Sequence, residues 1–435
     1  MGSYCFEGDG GSVSDARVAA PSSAFGTFSP AEKRGGEGRS IGGAEREGKG
    51  LATLIERAKD LFEDIDFAVV TAWKARTGRK AIGHMPTYVP RELIHAAGML
   101  AVGITGGGDK LEIIRGDAYF QSYICRIPRS TIELALSHRL DMLDGMLFPS
   151  ICDVIRNLSG MWSMIFPDRY VHYVDVPQNF DTEVGGRFWR RELETLRHDF
   201  AQLSCVAIDD EALRASIAVY NENRSVIREL YRARSERPWI FPMSEVYYLL
   251  RAGNVLPPEE HTSLLREYLA LAPGETSRRD QDRSRVVLAG MFCEQPPHGL
   301  VMTLERAGCY VVDDDFLLGL RWLQDDVATT GDPLDALVDA YLNHSAMSAS
   351  RYAPDGDRGR WLIDSVERNR AEGVIFAAAS FCDPALLDQP MLVAALDRSG
   401  IPHTEFKFAE DTGQFAVIRE QAGTFSDSIR LWSEA

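Results

Sequence analysis

Short apolar runs that read as strands alternate with helix-length stretches in two separate parts of this chain. That alternation restricts the fold more than any other feature. In the first part the strand-like runs are Lys80 to His84, Ala101 to Ile104, Asp144 to Phe148 and Tyr170 to Val176. Helical stretches stand between them, from Pro90 to Ala97 (stopped at Gly98), from Pro128 to Leu140, and after Cys152. The second part repeats the pattern: runs Arg285 to Ala289, Tyr310 to Val312, Gly373 to Ala378 and Pro402 to Phe408, with helices at Pro297 to Ala307, Pro384 to Leu396 and Gln414 to Trp432. Strands separated by helices of this size pair in parallel, with helices covering both faces of the sheet. Residues 185–275 carry helical patterns only, including Arg190 to Leu203 and Asp210 to Arg234. The expected class is therefore α/β, with two doubly wound parallel-sheet domains at 51–184 and 281–435 and a helical region at 185–280 between them.

Ahead of the first domain, Leu54, Ile55, Ala58, Leu61, Phe62 and Ile65 recur at helical spacing, predicting one amphipathic helix from Leu51 to about Arg76. Residues 1–50 are rich in Gly, Ser, Ala and charge and have almost no aliphatic periodicity, the composition of a disordered tail. The net charge of −17 argues against nucleic acid as a partner, because phosphate binding needs a basic surface. No apolar run approaches the roughly 20 residues needed to span a bilayer. There is no charged-then-apolar export signal, and Phe6 stands where a myristoylation signal needs Ser or Thr. Seven cysteines, an odd count in a long chain, do not suggest a disulfide framework. The expected compartment is the cytoplasm.

Three of the cysteines share a local setting. Cys125 lies in Ser122-Tyr-Ile-Cys-Arg-Ile-Pro128, Cys152 in Phe148-Pro-Ser-Ile-Cys-Asp153, and Cys382 in Phe376-Ala-Ala-Ala-Ser-Phe-Cys-Asp-Pro384. Each precedes a predicted helix, at the strand-to-helix turns where parallel sheets bind their ligands. A cysteine is more often a small buried packing residue than a ligand. The turn positions, the following Asp153 and Asp383, and the helix-starting Pro128 and Pro384 shift the balance, since a helix N-terminus stabilises a thiolate. Arg126, Arg129 and Arg156 add positive charge nearby. Three thiols in one crevice suit a soft metal centre, with an iron–sulfur cluster the sharpest candidate. Zinc is weaker, because no paired Cys or His at structural-zinc spacing occurs.

Cys293 follows a strand in the second unit and reads equally as a fourth ligand, a substrate-pocket residue or packing. Cys205 and Cys309 read as core, and Cys5 as a bystander in the tail. His84, Glu294 and Asp313 are too weakly placed to nominate. Gly106-Gly-Gly-Asp-Lys110 lacks the phosphate-loop pattern, so its glycines read as a tight turn, and no serine-nucleophile elbow or paired-His zinc helix is found. Any ATP dependence must reside on another chain.

The segment Met85-Pro-Thr-Tyr-Val-Pro-Arg-Glu-Leu-Ile-His-Ala-Ala-Gly-Met99 and the three cysteine segments together resemble the benzoyl-CoA reductase and 2-hydroxyacyl-CoA dehydratase family. Tyr220-Asn-Glu-Asn-Arg224, Gly308 to Asp315 and Ile418-Arg-Glu-Gln-Ala-Gly423 match it as well, and the resemblance runs from about residue 51 to the end. Within the family, Gly106 to Arg129, Gly145 to Trp162 and Gly290 to Pro297 are most similar to the gamma-type (C) subunits of ATP-dependent benzoyl-CoA reductases.

That resemblance implies a [4Fe–4S] cluster held by Cys125, Cys152 and Cys382. It implies a homologous cluster-bearing beta subunit, an ATP-hydrolysing alpha–delta pair completing a heterotetramer, and electrons from reduced ferredoxin. The implied reaction is reduction of benzoyl-CoA to a cyclic dienoyl-CoA in anaerobic aromatic degradation. A 2-hydroxyacyl-CoA dehydratase subunit is the alternative within the family. A non-catalytic acyl-CoA-binding partner is the alternative outside it, and the three intact cysteines speak against that.

Overall fold

Parallel strands buried on both faces read as continuous apolar runs, as the inner strands Gly145–Pro149 and Gly373–Ala379 do here. The structure is a computed structural model that describes residues 41–290, 294–316, 320–351, 358–409 and 415–433. Most of the expected tail and Cys293 lie outside them. Two leading helices, α1 (Ile41–Glu63) and α2 (Ala68–Thr77), precede strand β1 (Ala81–His84). Then follow α3 (Arg91–Ala96), β2 (Leu100–Gly103), α4 (Arg126–Leu136), β3 (Gly145–Pro149), α5 (Asp153–Ile165) and β4 (Tyr170–Val174). The helical region comprises α6 (Arg187–Ser204), α7 (Asp210–Glu236), α8 (Met243–Ala252) and α9 (Pro258–Leu271). The second alternating unit begins with β5 (Ser284–Ala289), α10 (His298–Arg306) and β6 (Cys309–Asp314). It continues with α11 (Pro333–His344), α12 (Arg360–Arg368), β7 (Gly373–Ala379), α13 (Asp383–Ser399), β8 (His403–Phe408) and α14 (Phe415–Ser433).

All strand pairs are parallel, and the two four-stranded sheets have the orders β2-β1-β3-β4 and β6-β5-β7-β8. The chain thus builds the same strand order twice: first strand inside, second at one edge, third and fourth on the other side. In each sheet the connections reverse direction between the first and third strands, the place where open α/β sheets bind ligands at their carboxyl edge.

Three details depart from the sequence-based expectation. The leading segment is two helices, not one. Asp64 accepts backbone N–H bonds from Asp66 and Ala68, and Phe67 adopts a left-handed φ of 53°, so the chain turns and restarts at α2. α1 also begins at Ile41, so the last part of the expected tail is helical. In addition, α4 starts directly after Cys125, with Pro128 inside its first turn.

The family-like motifs of the first unit are mainly structural. Glu92 on α3 pairs with Arg224 on α7 at 2.6 Å, both buried, tying the first sheet to the helical region. His84 and His261 are each 1% exposed. His261 donates from Nε2 to the Leu249 carbonyl and accepts at Nδ1 from Asn223, an arrangement that fits only the neutral ring. Burial holds both histidines down to about 4, from an ordinary 6.5. The unfolded chain therefore takes up protons that the folded one excludes. Stability is full above pH 6.5 and falls as the pH drops toward about 4, by up to ~3 kcal/mol per histidine. Urea midpoints measured from pH 7 to pH 4 should fall steeply for the native chain and less steeply for a His84→Gln, His261→Gln double variant. Parallel curves for the two proteins would refute this account.

Candidate functional site

Each of the three nominated cysteines occupies the N-cap position of a helix: Cys125 on α4, Cys152 on α5 and Cys382 on α13. Cys152 stands three residues beyond Pro149, the last of β3, and Cys382 three beyond Ala379, the last of β7. The two occupy the same place in the two sheets, after the third strand. Cys125 arrives by the long connection that follows β2.

That connection is shaped by its glycines. Gly106 and Gly108 adopt φ of +81° and +57°, and a Cβ on Gly106 would lie 2.4 Å from Ser130 Oγ. The run is a close-packed turn, as its sequence suggests. Arg126 donates to the Leu111 carbonyl at 2.9 Å, and the Glu133 carboxylate accepts the backbone N–H groups of Ile114, Arg115 and Gly116. These bonds fasten the loop to α4 and so fix the position of Cys125.

The three thiols line one cavity at the carboxyl edges of both sheets, and the first unit supplies two of them and the second unit the third. Its enclosed part is about 30 Å³, within about 470 Å³ of empty space that includes its opening to solvent. The remaining wall is largely apolar: Met85 and Pro86 after β1, Ile127, Ile151, Ile155 and the exposed ring of Phe381. Phe381 has a left-handed φ of 66°, an uncommon conformation for a bulky residue, immediately before Cys382. Met85, Pro86 and Phe381 lie in the family-like segments, but nothing in the sequence assigned them a lining role, because an apolar residue in a turn looks the same whether it lines a site or fills a gap.

None of the three cysteines is in a disulfide. Burial pushes the Cys125 thiol well above its usual range, and the Glu294 carboxylate, Cys382 and Cys152 push the same way, while Arg129 opposes them. Cys152 is pushed up to about 11 by burial, against two backbone N–H donors from Ile155 and Val154. Burial and the neighbouring thiols thus both work against a thiolate at Cys125 and Cys152, which a cation or cationic cofactor would offset.

Among the described residues, no three His, Cys, Asp or Glu side chains are gathered tightly enough to hold a metal ion. A single zinc ion needs its ligands about 2 Å from one point. Thiolates of a polynuclear cluster each bind a different iron and stand farther apart. Three thiols at helix N-termini, in an apolar wall between two sheets, fit that second donor set.

Other residues considered from the sequence have structural roles. Asp313 accepts hydrogen bonds from Ser365 and Asn369. His84 Nδ1 lies 3.0 Å from the Met85 carbonyl. Cys309 is buried in β6, as expected, whereas Cys205 is exposed at the end of α6 with a left-handed φ of 57°. A surface helix end needs no packing residue, so the core assignment of Cys205 is corrected. Glu294 is 4% exposed and acts electrostatically on Cys125, which its sequence context did not reveal.

A family model described as 2-hydroxyglutaryl-CoA dehydratase, D-component, matches residues 86–429. The chain belongs to this family. It is 55% identical over 384 residues to the C subunit of benzoyl-CoA reductase from Thauera aromatica, covering 88% of this chain and 99% of that protein. It is 28% identical over 358 residues to the (R)-phenyllactyl-CoA dehydratase beta subunit of Clostridium sporogenes, covering 81% of this chain and 93% of that one. Against the beta subunit of (R)-2-hydroxyglutaryl-CoA dehydratase of Acidaminococcus fermentans it is 29% identical over 369 residues, 83% and 95% of the two chains. These relatives are subunits of benzoyl-CoA reductase or of 2-hydroxyacyl-CoA dehydratases, and the family resemblance read from the motifs is borne out. Among the described residues, no helix is long and apolar enough to cross a membrane.

Proposed function

We propose that this chain is the gamma-type subunit of an ATP-dependent benzoyl-CoA reductase, with Cys125, Cys152 and Cys382 holding a [4Fe–4S] cluster. One observation carries the choice of reaction: identity to the reductase subunit is 55% along nearly its whole length, against 28–29% to the dehydratase subunits. When bound, such a cluster supplies one-electron transfer at low potential.

The chain's own residues do the rest. Cys125, Cys152 and Cys382 present their sulfurs at helix N-termini, where backbone N–H groups and helix dipoles offset thiolate charge. Ile127, Ile151, Ile155, Met85 and Phe381 keep bulk water from the site and so preserve reactive electrons for the substrate. Arg129, half-fixed by Asp117 at 2.9 Å, adds positive charge beside Cys125. The sequence carries no nucleotide motif, so ATP hydrolysis belongs to alpha and delta partner subunits. A homologous beta subunit and reduced ferredoxin complete the system, in the cytoplasm.

The test is an anaerobic assay of the co-purified complex with ATP and a strong reductant, offering benzoyl-CoA and a 2-hydroxyacyl-CoA separately. Loss of aromatic absorbance, with ATP consumed on every turnover, is the expected result. Dehydration of the hydroxyacyl thioester with ATP needed only to start would overturn the reductase reading and place the chain with the dehydratases.

A further inference from the structure

A second cavity, of about 280 Å³, opens at the opposite end of the first sheet from the cysteines. Its wall includes Leu100 and Ala101 at the start of β2, Arg79 just before β1, Arg91 and His95 of α3, Tyr220 and Asn223 of α7, and the turn between α8 and α9. The carboxylates on this wall are already engaged: Glu260 with Arg76 at 3.2 Å and Glu259 with His95 Nε2 at 3.1 Å. Glu92, next to Arg91 in the chain, is taken by Arg224.

Arg91 is the exception. It is 7% exposed, and among the described residues no carboxylate lies within ion-pair distance and no side-chain hydrogen bond is made. Its guanidinium sits 4.9 Å from the centre of the Tyr220 ring, and burial works against its charge. The Tyr220 hydroxyl, on a side chain 3% exposed, also has no hydrogen-bond partner among the described residues. An arginine more than nine-tenths buried is ordinarily paired, because an isolated buried charge is costly. Here the guanidinium and a phenol face a cavity large enough for a ligand, and Arg79 stands on the rim.

We propose that this cavity is an anion site for a phosphate group, bound by Arg91 and Tyr220 and attracted by Arg79, and separate from the thiol site. Arginine suits this task because its planar fork pairs with two oxygens of a phosphate at once. The phosphate could be inorganic or carried on a nucleotide, and both present the same oxygens to Arg91.

The test is calorimetric titration of the purified complex with inorganic phosphate and, separately, with adenosine 3′,5′-bisphosphate, at low and high salt. We expect saturable binding of at least one probe, weakening with salt, and weakened about tenfold or more by Arg91→Met. Tyr220→Phe and Arg79→Ala, which leave the buried charge in place, should weaken it less. Binding of both probes with similar affinity assigns the site to free phosphate; binding of the bisphosphate alone assigns it to a nucleotide. No binding of either probe to the native complex overturns the proposal. So does equal binding by the native complex and a folded Arg91→Met or Tyr220→Phe variant. Neither result bears on the reductase reading, which is tested by turnover.

Discussion

If Cys125, Cys152 and Cys382 hold the proposed cluster, replacing Cys152 with serine should strip the iron from this subunit and lower turnover of the assembled complex by more than about 100-fold. Such a site loses affinity and geometry together with one of its three thiolates. Cys125→Ser and Cys382→Ser should behave alike, since all three line one cavity. The readout is iron per subunit, with the electronic absorption of the reduced and oxidised complex alongside. Cys309→Ala is the matched control. That thiol is buried but lies in β6, outside the cavity, and the variant should retain its iron. A Cys152→Ser subunit with a full iron complement would sink the ligand assignment, whatever its activity.

The second large effect concerns stability. Asp314, at the end of β6, is buried, and Arg234 of α7 is 0% exposed. The carboxylate meets Arg234 at 2.7 Å and Arg321 at 3.0 Å, and accepts the Tyr231 hydroxyl at 2.9 Å. Both guanidinium groups also lie over the Tyr231 ring, at 4.3 and 3.6 Å. Truncating one member of a buried ion pair leaves the other charged and unsolvated, at a cost of about 3–5 kcal/mol. Asp314→Ala should therefore destabilise the protein by about 3 kcal/mol, since it leaves both arginines with only the longer contacts to Asp313, at 4.0 Å from Arg234 and 3.6 Å from Arg321. Urea unfolding of the native and variant chains measures it. A loss under about 1 kcal/mol would mean that Asp313, water or the tyrosine ring takes over both cations. The cluster joins α7 to the second sheet, so its removal should also loosen the seating of that sheet on the helical region.

Much of this architecture was legible in the sequence because parallel strands leave plain marks. The apolar runs ending at His84, Phe148 and Ala289 are buried strands within a residue or so of their expected ends, and the half-exposed edge strand with alternating polar residues also ends at Phe408 as expected. The three cysteines were legible for a related reason: each stands at the start of a helix, Cys152 and Cys382 directly after a strand and Cys125 at the end of the long connection from β2. What stayed hidden depends on contacts between distant parts of the chain. The break at Asp64–Phe67 is written in one side chain capping the next helix, which periodicity over a window smooths away. Arg91 drew no reading of its own from the sequence, and only the placement of α7 and α9 around it shows that it is buried without a carboxylate. Glu294 gained meaning in the same way, when the second unit carried it toward Cys125. The repeated strand order was also invisible, because the two units share topology without a sequence pattern strong enough to register as a repeat.

The thiol set is split between the two units in a way that bears on how the protein matures. Cys125 and Cys152 leave the ribosome well before Cys382, which lies 230 residues beyond Cys152. The first unit alone offers an incomplete set of ligands, and so does the second. With the three thiols holding the cofactor as proposed, its insertion must wait for the second unit to be synthesised and for the two sheets to meet. Once in place, the inorganic core would act as a rivet between halves that are otherwise joined by packing and ion pairs, so the apo-protein should be more open and more easily cleaved by protease than the mature one.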